Sequence, residues 1–269
     1  MTVNALSPAS PAASQGTSSP DTAQHATKNP SDISSLKPFY VEHVTGSHPF
    51  LENEKENKDG RPLSQPEHNR VMKALGTAIT WSQKAISALK NPSSWSGETK
   101  KLLSDLFPGG LQQPSDREAL KTQLTYTLDG LKKLRDDNAS TIRSMSSEHF
   151  LGLSLAMIDP ETHDKIRFDR MYVSEKSLKD RSDDALAATV LHEASHTYAD
   201  TSDNWKIRPN HSSPSDGKPS FSFDTHLSVP DPISGKSHGD LTFTNAVNNA
   251  STVEVATEVL AGVPFNSIA

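Results

Sequence analysis

Apolar residues recur at helical spacing along most of the first half of the chain. Over residues 67–90, Met72, Leu75, Ile79, Ile86 and Leu89 keep the period of one helix face, with Trp81 beside them. Pro66 stands where helices open, and Asn91-Pro92 closes the run. A shorter helix is predicted over residues 97–107, carried by Leu102, Leu103 and Leu106 and ended by Pro108-Gly109-Gly110. Ser115-Asp116-Arg117-Glu118 has the form of a capping box. It predicts a long helix with the stripe Leu120, Leu124, Leu128, Leu131 and Leu134.

The period changes near Phe150. Leu151, Leu153, Leu155 and Met157 alternate with smaller residues, and residues 166–174 are rich in Ile, Phe, Tyr and Val, so both read as strands around a turn at 159–162. Helical spacing returns at Asp183. Ser182 or Asp183 can cap this helix, and Asp183 and Asp184 suit its positive end. Leu186 and Val190 form one row, and Ala187, Leu191 and Ala194 another, so at least one side is predicted to be buried. Residues 243–261 predict a closing helix, with Val255 and Val259 on one row and Ala256 and Leu260 on the next. Residues 204–241 hold Pro209, Pro214, Pro219, Pro230 and Pro232 and are expected to form a long loop, suited to the wall or lid of a cleft.

Composition divides the chain. Of residues 1–35, 22 are Ser, Thr, Pro or Ala, and Asp21, Lys28 and Asp32 are the only charges; such a stretch is expected to be a disordered leader. Residues 36–66 read as an irregular arm and residues 67–269 as one catalytic domain. A net charge of -6 with scattered Lys and Arg gives no sign of nucleic-acid binding, and no nucleic-acid partner is expected. No run approaches the roughly 18 apolar residues of a membrane span, and no signal-peptide h-region is visible. The chain has no cysteine, so a metal site must use His, Asp or Glu.

Chemistry gathers at His192-Glu193-Ala194-Ser195-His196. Positions four apart lie on one helix face, so both imidazoles can reach one metal ion. Glu193 stands one step round, where a general base acting on a metal-bound water belongs. A catalytic zinc takes three protein ligands and keeps a position for water. Two candidates stand for the third. Asp203 follows His196 by seven residues; Glu254, with Glu258 four further on, lies on the closing helix. Ala199 and Ser202 stand where the metzincin pattern needs Gly and His, which excludes that class.

The segment HEASHTYADTSD resembles the deuterolysin-type zinc metallopeptidases, the aspzincins, in particular the bacterial lysine-specific metallo-endopeptidase-like domains. Thr201-Ser202-Asp203 matches their Thr-x-Asp, with Asp200 in place of Gly. Ala246-Val247-Asn248-Asn249-Ala250-Ser251 is similar to their Asn-Asn-Ala-Asp segment, with Ser251 at the Asp. The resemblance implies an α+β, zincin-like fold, mostly helical, with a small sheet whose edge strand flanks the HExxH helix. It implies Zn2+ on His192, His196 and Asp203, with Glu193 catalytic. It implies an endopeptidase that hydrolyses protein or peptide substrates through a Glu-activated zinc-bound water. A gluzincin arrangement with Glu254 as third ligand is the alternative. Lys206 replaces the family's oxyanion-stabilising Tyr, which leaves Lys206, Tyr198, His226 or His238 for that task. Ser251 removes the ground for carrying over a lysine preference. The leader resembles the N-termini of bacterial type III secretion effectors. That implies a secreted effector or toxin, injected into a host cell and met by a secretion chaperone at its N-terminus. The rival class is a non-catalytic delivered binding protein with a vestigial HExxH.

Overall fold

The helices form largely where the apolar period predicts them. The computed structural model describes residues 39–40, 60–146, 151–158, 165–210, 219–224 and 242–267. The leader and its expected secretion signal lie outside these residues, as do most of the arm, the turn at 159–162, His226 and His238. Helix α1 spans Gln65–Lys90 with Pro66 in its first turn, and α2 spans Gly97–Leu106, where the Ser96 hydroxyl accepts from the Thr99 N–H at 3.0 Å. Helix α3 spans Pro114–Asp136. The capping box expected at Ser115–Glu118 does not form. Pro114 pre-sets the first helical turn, so the helix opens ahead of Ser115 with Gln113 as its cap, and Glu118 pairs with Lys121 instead at 2.8 Å.

Five strands make one sheet: β1 (Phe39–Tyr40), β2 (Arg61–Pro62), β3 (Ile142–Met145), β4 (Gly152–Ile158) and β5 (Lys165–Ser174). Their order is β1-β4-β5-β3-β2. The predicted pair β4 and β5 is antiparallel, with a register shift after Ser154: Leu155 stands opposite residues 168–170, so the bulge is on β5. Strand β3 is not signalled by alternation: Ile142, Ser144 and Met145 are all buried, because it inserts parallel to β5 in the middle of the sheet. After the short α4 (Glu175–Asp180) comes α5 (Asp183–Ala199), which carries both histidines. The stretch expected as a long loop contains an antiparallel ribbon of β6 (Lys206–Pro209) and β7 (Phe221–Asp224). The predicted closing helix is two helices, α6 (Phe243–Val247) and α7 (Ala250–Ala261), broken at Asn248–Asn249. The fold is α+β and mostly helical, with small sheets. No helix among the described residues is long and apolar enough to cross a membrane.

Helix α5 lies at the centre. It packs on α1, α3, α7, β4 and β5, and is buried on nearly all sides rather than one. Alanines at 185, 187, 188, 194 and 199 let these neighbours approach closely. Two apolar clusters meet around it. One joins α1, the end of α3, β3, β5 and α5; the other joins α2, the start of α3, Trp205, Ile207, α6 and α7. Burying polar motif residues in such a helix requires partners for them from its neighbours.

The edge of the sheet is tied to α1 by charge. The Arg61 guanidinium donates to both carboxylate oxygens of Glu67 at 2.7 Å and from Nε to Glu175 at 3.0 Å. Glu67 also accepts from the Ser64 N–H and hydroxyl at 2.8 and 2.7 Å, which makes the capping box of α1. Arg61 therefore holds the Glu67 carboxyl down at about 2, against an ordinary 4.5. A depressed folded-state pKa adds stability above the unfolded value and loses it as pH falls through the folded one. Glu67→Gln is expected to cost about 1 kcal/mol at pH 7, the size of one helix cap, because the half-exposed Arg61 screens the ion pair. The gap between wild-type and variant unfolding midpoints should close as pH falls from 4.5 towards 2 in thermal denaturation.

Candidate metal centre

The Ser182 hydroxyl caps α5 by accepting from the Ala185 N–H at 3.1 Å, while Asp183 pairs outward with Lys73 and Arg70 of α1. This fixes the helix phase, and His192 and His196 share a face with their Nε2 atoms 3.2 Å apart. The helix stops at Asp200, whose backbone is left-handed (φ 53°, ψ 34°) and whose N–H returns to Ser195 O. That turn brings the next segment back over the histidines. Asp203 Oδ1 lies 3.3 Å from His192 Nε2, and Asp203 Oδ2 lies 3.0 Å from His196 Nε2.

The outer nitrogens decide what the inner ones present. His196 Nδ1 donates to Thr201 O at 2.8 Å, and His192 Nδ1 donates to Glu254 Oε2 at 2.9 Å. Both rings are thereby set as Nδ1–H tautomers, and both Nε2 lone pairs point at the Asp203 carboxylate. Three acceptors so placed repel one another unless a cation stands among them. Tetrahedral zinc, about 2.0–2.1 Å from each donor, holds neighbouring donors about 3.3 Å apart. The observed separations of 3.2, 3.3 and 3.0 Å match that edge. His192, His196 and Asp203 form the one group among the described residues with the spacing to hold a metal. Burial alone would depress His192, but Asp203 and Glu254 outweigh it and hold the imidazole well above its ordinary range.

Glu193 is 2% exposed, and burial pushes its carboxyl above the usual range. Its Oε2 has no hydrogen-bond partner among the described residues. The carboxylate lies against the start of β4: a Cβ on Gly152 would stand 2.6 Å from Glu193 Cγ and 2.7 Å from Oε1. Two residues along, the Ser154 hydroxyl donates to the Glu193 carbonyl at 2.9 Å and accepts from the Thr197 hydroxyl at 3.0 Å. The strand and the motif helix are thus joined at the residue between the histidines. Nothing in the sequence pattern singles out Gly152 or Ser154. A glycine opening an otherwise β-favouring run is the one available signal.

The remaining sequence candidates separate cleanly. Glu254 reaches the outer nitrogen of His192 and not the cluster of inner donors, so the alternative with Glu254 as third ligand is not the arrangement found. Glu258, one turn further, is fully buried, and both its carboxylate oxygens lack hydrogen-bond partners among the described residues. Burial and the Glu254 charge push its carboxyl well above the usual carboxylate range. Tyr198 is not at the site: its ring lies against Gly130 of α3, where a Cβ would come within 2.1 Å of it, and beside Lys133 Nζ at 5.8 Å from the centroid. Lys206 opens β6 with its side chain exposed, opposite Asp224. Thr189 and Ser195 serve the helix itself; they bond to Ala185 O and His192 O at 3.0 and 2.7 Å.

Comparison with known proteins adds little. No protein-family model and no curated protein matches the chain. Among solved structures it is similar to a zinc peptidase from Grifola frondosa, with a TM-score of 0.42 and 16% identity over 73% of this chain and 96% of that one.

Two substitutions test the geometry. Glu254→Ala should weaken zinc binding by about 10–100-fold while Glu254→Gln, which can still accept from Nδ1, retains most of it, as read by competition with a chelator. Gly152→Ala should displace the Glu193 side chain and lower any hydrolytic rate while leaving zinc content unchanged, measured by elemental analysis beside turnover.

Proposed function

We propose that the chain is a zinc endopeptidase of the aspzincin type. The observation that carries this reading is the convergence of two imidazole lone pairs and one carboxylate at tetrahedral spacing, beside a buried glutamate. His192, His196 and Asp203 hold the metal in this reading, and Glu193 is the base. Zinc bound there supplies a Lewis acid for the scissile carbonyl and brings the pKa of a water from about 15.7 towards about 7.

Substrate placement is supported by the open edge of β4. The Ser174 N–H donates to Leu151 O, and Leu153 lies opposite Tyr172, so main-chain groups of Leu151 and Leu153 face β5. In an antiparallel pair those of Gly152 and Ser154 then face the other way. Strand β1 pairs with β4 only at Ala156 and Met157. Among the described residues no strand pairs with Gly152 or Ser154 on that side. An extended peptide adding to this edge would make main-chain hydrogen bonds there, with its carbonyl brought over Glu193. The missing Cβ at Gly152 keeps the strand close to the carboxylate.

Glu193 takes a proton from the water as the water oxygen bonds to the carbonyl carbon. It returns that proton to the amide nitrogen as the C–N bond breaks; the water's second proton also passes to the amine, so a carboxylate and an ammonium group leave. The hydrogen bond from Ser154 to the Glu193 carbonyl holds this residue's backbone between strand and helix. The Nδ1 bonds to Glu254 and Thr201 keep both imidazoles in the ligand tautomer.

Glu193→Gln is expected to keep stoichiometric zinc and lose about 10²–10⁴-fold in kcat/KM on an unfolded protein substrate. Asp203→Ala is expected to lose the zinc itself. Elemental analysis and a cleavage profile on a denatured proteome read both. Undiminished cleavage by Glu193→Gln, or full zinc in Asp203→Ala, would sink the assignment.

A further inference from the structure

The segment carrying Asp203 is held from the side opposite α5 by the junction between α6 and α7. The Ser202 N–H donates to Asn248 O at 2.8 Å, and the Ala250 N–H donates to Ser202 O at 2.9 Å, a single parallel bridge. One residue past Asp203, the side-chain carbonyl of Asn249 accepts from two successive amides, Asn204 N–H at 2.8 Å and Trp205 N–H at 3.2 Å. The Asn249 Nδ2 donates to Thr252 Oγ1 at 3.0 Å, and the residue is fully buried. Asn204 Nδ2 reaches back to Asn245 O at 3.2 Å, and Trp205 is buried in the apolar cluster of α6 and α7. Asp203 therefore stands between two residues whose main chain is held by the junction.

A donor carboxylate must be held within about 0.5 Å of its working position, and loops seldom provide that unaided. One amide oxygen with two lone pairs can take two N–H groups at once, which fixes the turn just after Asp203. An aspartate there would offer the same acceptors but would bury another charge beside Asp203 and Glu254. Asparagine supplies the acceptor for the loop and the donor for Thr252 without that charge. It also explains why the helix predicted over residues 243–261 breaks at this point: a residue inside a continuous helix could not turn its side chain to two amides of another segment.

We propose that Asn249 is a positioning residue of the metal centre, holding Asp203 in place through the amides of Asn204 and Trp205. The proposal rests on the zinc reading given above. The test uses the full-length chain and the variants Asn249→Ala, Asn249→Ser, Asn249→Asp and Thr252→Val. Each is titrated with Zn2+ against a competing chelator, and with Co2+, whose d–d absorption reports coordination geometry. Thermal unfolding in chelator establishes that each is folded. Asn249→Ala should bind Zn2+ about 10–100-fold more weakly and move the Co2+ spectrum towards that of Asp203→Ala. Asn249→Ser, too short to reach both amides, should do the same and serves where alanine does not fold. Thr252→Val keeps the Asn249 acceptor for both amides and should stay within a few-fold of wild type, whereas Asn249→Asp keeps the acceptor but adds a buried charge and should lose thermal stability in chelator. Wild-type affinity and spectrum in the alanine or serine variant overturn the proposal. So does equal weakening in all four variants, which assigns the effect to packing. A wild-type chain that takes up no Zn2+ overturns the metal reading itself and this proposal with it.

Discussion

Three electron-pair donors facing one another across about 3 Å are the constraint on which the rest of the structure depends. Left to themselves they repel; only a cation reconciles them, and only rigid surroundings keep them together without one. The surroundings are rigid for identifiable reasons. Helix α5 is enclosed by three helices and two strands, so its histidines cannot swing out without opening the core. Each imidazole is pinned from behind, one by a main-chain oxygen and one by a carboxylate. The third donor arrives on a loop whose ends are fixed, by the left-handed turn at Asp200 on one side and the α6–α7 junction on the other.

A central helix with polar residues in its buried face requires compensation, and the compensation is itself informative. His196, Ser195, Thr197 and Thr201 all have hydrogen-bond partners. The two buried carboxyls without partners among the described residues are on different footings. Glu193 Oε2 is buried, in a carboxylate that lies against Gly152 at the start of β4. Glu258, one turn on from Glu254, is held well above the carboxylate range by burial and by the Glu254 charge. The two acids on α7 lie one helical turn apart: Glu254 meets an imidazole N–H, whereas neither Glu258 oxygen has a hydrogen-bond partner among the described residues.

The sheet contributes an edge and a close approach. The register shift after Ser154, a bulge on β5, separates the part of β4 that pairs with β1 from the part that lies against the motif helix. The glycine at its start lets the strand touch the Glu193 carboxylate, and Ser154 ties the same strand to the helix backbone. Strand edge, Glu193 and donor cluster are therefore packed together as one unit.

Most helices, the cap at Ser182 and the two long strands were legible because they follow from local period and local chemistry, as at residues 67–90, 183–199 and 166–174. The HExxH face was legible for the same reason: four residues on a helix define a direction wherever that helix is packed. Local signals misled where a stronger neighbour intervened, as Pro114 did over Ser115, and where pairing came from far away, as for β3 and the β6–β7 ribbon. They also failed at Asn248–Asn249, where a helical period continued across a break made by bonds to another segment. The donor set shows the limit most plainly. Sequence alone placed both Asp203 and Glu254 within reach of His192, and both do touch it. Which one faces the inner nitrogen and which the outer depends on the turn at Asp200 and the placement of α7, and such angular relations between distant segments exist only once the chain has packed.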